Sequence, residues 1–342
     1  MPYSRISKHR TAIMGVAALM IFYFHVHPAL LSGIPRLRAL EQPLLDLLIP
    51  AVDVFLLVSS YGLAHRFARG SFSWRGYAVR RVVRLYPPLF VGNILYGLSL
   101  HAGARWIIAS ELLVAPLIYG FLPQLWFVPT ILALSLAAPL YYFHVFAPAR
   151  RKGRVTALSM LVVVGLGAAL QSVVKAEWYY AIFRIPVFLL GFLWGDLAVR
   201  GESLSRRALV GLVGLMFAGA VGCVAESLGW LPSILPWQRF LLHLAIAPGL
   251  TAMLALLLDR LDRVAARAAR AVMAALRFYG KMSLEFYCVQ EAIFIALMHG
   301  EFSAPFRERF PIYLPCFVLS TLVAMLLHWA CRRIAALSSS GK

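Results

Sequence analysis

Four groups of polar residues interrupt an otherwise apolar sequence, and each has a chemistry to offer. His25 and His27 close the first apolar run. An imidazole can take or give a proton near neutral pH, so His25 is a candidate general base; it could equally be a hydrogen-bonded packing residue. Asp53 lies about nine residues into the second run, and Asp46 nearer its start. A carboxylate beside His25 would orient the ring and raise its basicity. As an alternative, Asp53 clamps two helices together. Arg80, Arg81 and Arg84 cluster where the third run begins. Arg81 and Arg84 are three apart and share a helical face, a fork that suits phosphate or simply anchors the helix at a membrane surface. Glu285 is followed by Tyr287, Gln290 and Glu291 in one late run. Two carboxylates there point to a wet cavity or a proton-handling site. Glu226, His243, Arg184 and Asp196 carry weaker signals, and His144 and His328 read as bland.

The elements that hold these residues follow from composition. Of 342 residues, 61% are hydrophobic and only 14% charged, and mean hydropathy is +0.79. A soluble domain has roughly 45–50% apolar residues and about 25% charged ones. The chain therefore reads as a polytopic membrane protein, all-α, because lipid offers no partner to an open backbone. At about 20 residues per crossing, ten spans are predicted: 11–31, 44–65, 82–104, 124–147, 155–174, 179–199, 208–228, 236–258, 278–299 and 312–331. Residues 105–123 contain Glu111, Pro116 and Pro123 and read as a re-entrant or interfacial segment. Residues 259–277 read as a basic amphipathic helix on the inner surface. The whole chain, 1–342, reads as a single membrane domain with no fused soluble domain.

Charge orients this bundle. The net charge is +19. The cations sit in short clusters between apolar runs, which is the pattern of membrane loops and excludes a nucleic-acid groove. With both termini in the cytoplasm, 25 of the 33 Lys and Arg fall on the inner side. His25 then lies 15 residues beyond Arg10, ~22 Å along the helix and toward the outer face. The four Cys show neither a disulfide framework nor metal-ligand spacing. No glycine-rich phosphate loop, His-Glu-x-x-His or Gly-x-Ser-x-Gly motif occurs, so no metal is expected.

Six segments, in order, carry a family resemblance: HRTAIMGVAALMIFYFH (9–25), VDVFLLVSSYGL (52–63), RRVVRLYPPLF (80–90), LWFVPTILALSLAAPLYY (125–142), FRIPVFLLGFLWG (183–195) and YGKMSLEFYCVQE (279–291). Together they resemble the acyltransferase-3 family of bacterial integral membrane O-acyltransferases. Met14 stands where many members have Arg, with Arg10 about one turn earlier; Ser60 replaces a Gly and Gln290 a His. The resemblance implies an enzyme of the bacterial inner membrane, multi-pass. Its acyl donor would be acetyl-CoA or another acyl-CoA, arriving from the cytoplasm. The acyl group would pass to a hydroxyl of a cell-surface or cell-wall carbohydrate, free or lipid-linked. His25 would be the base or a transient acyl carrier, with Asp53 or Glu285 orienting or proton-coupling it. Arg10, Arg66, Arg80, Arg81 and Arg84 would hold the CoA phosphates. Membrane lipids and the carbohydrate are the expected partners, a homodimer is compatible with the sequence, and nucleic acid is not expected. The alternative is a proton-coupled transporter or flippase of a glycan or anionic metabolite, since intramembrane carboxylates and His also mark proton pathways.

Overall fold

A computed structural model describes residues 1–27, 31, 34, 36–70, 72–101, 125–170, 180–235, 237–298 and 306–340. Among them the chain is almost wholly helical, with no β-strand. The helices are α1 (Ser4–Val26), α2 (Arg38–Asp46), α3 (Ala51–Phe67), α4 (Trp74–Ser99), α5 (Phe127–Tyr141), α6 (Lys152–Ala169), α7 (Ile185–Val199), α8 (Arg206–Ser227), α9 (Gln238–Arg263), α10 (Arg267–Lys281), α11 (Ser283–Leu297) and α12 (Phe306–Ser340). A π-helical turn, Tyr142–Phe146, continues α5.

Eight described segments are long and apolar enough to cross a membrane. The two expected spans outside that set are helical too. Residues 82–99 of one lie in α4, whose arginines lower its hydropathy. The other, 278–299, is broken at Met282, so that α11 has only 15 residues. Its rise of ~22 Å is short of a ~30 Å hydrocarbon core. Nearly every side chain of α11 is buried, which makes it a helix cased in protein. The amphipathic helix is α10. It begins at Arg267, later than the pattern suggested, because 259–263 complete the last turn of α9. The expected re-entrant segment 105–123 lies outside the described residues.

The chain divides into two compact units, each drawn from three stretches. The first comprises Met1–Ala17, Asp46–Phe72 and Leu134–Lys281. Small residues govern its packing, because in lipid close backbone approach replaces the hydrophobic drive. Gly191 and Gly195 of α7 form a Gly-x-x-x-Gly stripe laid against Leu57, Ser60 and Tyr61 of α3. Asp259 of α9 binds the start of α1 through Lys8 at 3.1 Å, His9 at 3.3 Å and Arg5 at 3.4 Å. The tightest crossing is α1 over α10. A Cβ on Gly280 would fall on the Thr11 carbonyl, and one on Gly15 on the Leu276 carbonyl. Both obstacles are backbone and cannot rotate away. Gly280→Ala is therefore expected to destabilise the fold by about 1–3 kcal/mol. Gly211→Ala, which has open space around it, should leave the unfolding temperature in detergent unchanged. Equal melting of the two variants would refute this crossing.

The second unit comprises Ala18–Leu45, Ser73–Ala133 and Met282–Lys342. α11 is its centre and packs on α4 and α12. Gly92 lets α4 pass close to the backbone of Cys288. Phe22, on α1, meets Phe286 at 5.4 Å, Phe317 at 5.2 Å and Tyr313 at 5.6 Å between ring centroids. These rings dock the C-terminal part of α1 between α11 and α12.

Candidate active site

His25 is one helical turn beyond Phe22, so the aromatic cluster that fixes Phe22 also fixes the imidazole. Its Nδ1 is 3.1 Å from Gln290 Nε2 and 3.7 Å from Glu291 Oε2. Tyr287, one turn earlier on α11, sets its ring 6.4 Å from the imidazole and rests edge-on against Phe127 at 5.5 Å. A carboxyl group beside Nδ1 favours the proton on that nitrogen and leaves the Nε2 lone pair available. The Gln290 amide fits this tautomer when its oxygen faces Nδ1–H, since oxygen and nitrogen of an amide are assigned from the network they serve. Among the described residues the carboxylate the structure sets beside His25 is Glu291. It had been noted on its helix but not paired with the His.

A second polar centre sits on the same helix, six residues earlier. Glu285 is fully buried. Its Oε1 accepts from Arg84 Nη1 of α4 and lies 3.0 Å from His328 Nδ1 of α12. Six residues of helix separate the two carboxylates by ~9 Å of rise. His328, read as bland from sequence, is part of this centre. Arg84 has one guanidinium nitrogen on Glu285 and its side chain is 41% exposed, so the rest of its fork stays accessible. Arg81 lies 5.4 Å over the ring of Tyr77, and Arg80 is exposed beside Gly76.

The remaining candidates belong to the first unit. Asp53 is buried on α3 and paired with Arg184, which is buried as deeply and lies 5.7 Å from the Phe240 ring. Arg10 packs its guanidinium over Gly62, and Arg66 is exposed at the end of α3. Sequence reasoning gave Arg184 only a weak signal and so missed it as the partner of Asp53. A further basic group, Arg309, stands 3.1 Å from His27 Nε2. His27 Nδ1 lies 3.2 Å from the Phe24 carbonyl. His27 therefore donates to the backbone and accepts from Arg309.

The family model for the acyltransferase-3 group, described as an acyltransferase domain, matches residues 12–329. The chain belongs to this family. It is an integral, multi-pass membrane protein of an acyltransferase family. No curated protein and no solved structure matches it. In an acyltransferase the two centres of α11 offer complementary chemistry. One holds an imidazole beside a carboxylate. The other holds a partly exposed guanidinium, near two further arginines of α4. No group of three or more metal-ligating side chains occurs among the described residues.

The Glu285 centre makes its own prediction. Arg84→Gln leaves a buried carboxylate with His328 as its remaining partner among the described residues, whereas Glu285→Gln leaves an arginine that is partly in solvent. An uncompensated charge costs more where it is buried. Arg84→Gln should therefore melt below Glu285→Gln, by about 1–3 kcal/mol. The reverse order in thermal unfolding would contradict the pairing.

Proposed function

We propose that this acyltransferase moves an acyl group, acetyl in the first instance, from cytoplasmic acyl-CoA to a hydroxyl of a cell-surface or cell-wall carbohydrate. The observation that carries the proposal is His25 Nδ1 set beside the Glu291 carboxylate in a chain of this family. In the proposed reaction His25 Nε2 takes the proton of the acceptor hydroxyl as its oxygen attacks the thioester carbonyl. The new C–O bond forms, the C–S bond breaks, and the proton passes from the imidazolium to the departing thiolate. Glu291 orients the ring and stabilises its charged form. Glu285 acts one step further out, through Arg84, while Asp53 holds Arg184 within its own unit. Arg80, Arg81 and Arg84, with Arg10 and Arg66, supply cations of the kind that bind the CoA phosphates.

The test uses inside-out vesicles containing the protein and acetyl-CoA labelled in the acetyl group. Label is expected in a base-labile ester of the carbohydrate fraction. Labelled protein that chases into carbohydrate would instead place an acyl-His step on the path. Glycan flux with no need for acyl-CoA would overturn the proposal in favour of transport.

A further inference from the structure

A groove of about 490 Å³ runs between α5, α6 and α7 in the first unit. That is within the ~300–1,000 Å³ range of small-molecule sites. Its walls are almost entirely apolar and include Leu134, Ala138, Leu158, Val162, Phe188 and Phe192. α6 forms the outer wall. It is a membrane-length helix with few buried residues, so the groove lies at the edge of its unit, where lipid reaches it.

Two features say what fills the groove. First, charge is confined to one end. Arg151 and Arg154 are exposed at the start of α6, and no carboxylate lies within ion-pair distance of either among the described residues. Lys152 beside them is already paired with Asp196. Second, the order along the helix is that of a lipid. Residues 154, 158 and 162 repeat at four-residue intervals, so one stripe of α6 carries a cation and then two groove-lining side chains, with Arg151 just before the helix. From Arg154 to Leu158 the rise is ~6 Å.

We propose that this groove binds one acyl chain of an anionic phospholipid, with its phosphate at Arg151 and Arg154. A neutral lipid would fill the apolar part equally well but would forgo the two arginines. Basic residues at a membrane surface draw anionic lipid, and two of them predict a preference of at least about fivefold over a zwitterionic lipid with the same chains.

Native mass spectrometry of the whole protein tests this, with phosphatidylglycerol and phosphatidylcholine of identical chains supplied in equal amounts. One phosphatidylglycerol is expected to be retained, at least fivefold above phosphatidylcholine. Arg151→Glu/Arg154→Glu should erase that preference. Ser159→Trp, which fills the groove, should abolish retention, while Leu161→Trp, on the exposed side of α6, should not. If Ser159→Trp fails to fold, Val162→Phe serves as the milder plug. Equal retention of the two lipids by the unaltered protein, or an adduct that survives both plugs, would overturn the proposal.

Discussion

His25→Ala is expected to lower acyl transfer by about a thousandfold, within the 10²–10⁴ range that a positioned general base supplies. Binding of acyl-CoA should be unchanged within twofold, because the cations proposed to hold it stand elsewhere on the chain. The imidazole is held by packing at Phe22 and oriented at Nδ1, so loss of the ring removes the base without removing a structural prop. Glu291→Gln keeps the shape of the orienting group and removes its charge. It should cost about 10- to 100-fold, as loss of an outer partner to a functional His commonly does. The two changes should not add. Once the imidazole is gone, Glu291 has nothing to orient, so the double variant should match His25→Ala within a few-fold. Losses that multiply would mean that Glu291 acts on the reaction independently of His25. A His25→Ala protein with full turnover would remove the imidazole from the chemistry.

The sequence carried the depth of each polar residue but not its direction. Runs of apolar residues set the helices, and proline, glycine and charge marked most of their ends. His25 and Asp53 stood at similar depth on adjacent runs, and that alone made them look like partners. What decides a partner is the azimuth of each side chain, and azimuth depends on which helices pack together. Asp53 turns to Arg184, 131 residues away, and His25 to α11, 265 residues away. No local period encodes such pairings. The interleaving of the two units is equally invisible, since each is assembled from three separated stretches. The break at Met282 escaped for another reason: 278–299 is continuously apolar enough to read as one span. The Gly-x-x-x-Gly stripe of α7 was present in the sequence, but its meaning depends on α3 lying against it. The family resemblance supplied candidate roles for single residues, and the structure supplies their neighbours.

The second large effect concerns stability, and it separates a clamp from a catalyst at Asp53. Asp53 and Arg184 are both buried, on α3 and at the start of α7. Removing one partner strands the other as an uncompensated charge, which costs about 3–5 kcal/mol. Asp53→Leu should therefore melt far below the unaltered protein. Arg184→Met should do the same, because the carboxylate then remains. The double change Asp53→Leu/Arg184→Met removes both charges and substitutes apolar side chains, so it should recover most of the loss. The Gly-x-x-x-Gly contact between α3 and α7 needs neither charge and continues to hold the two helices together. The refolded double variant then reports on function. Acyl transfer restored along with stability would make the pair a clamp between α3 and α7. A stable double variant with no turnover would return Asp53 to the chemistry, acting through Arg184. A double variant no more stable than either single one would show that the two charges do not compensate each other, and the pairing itself would fall.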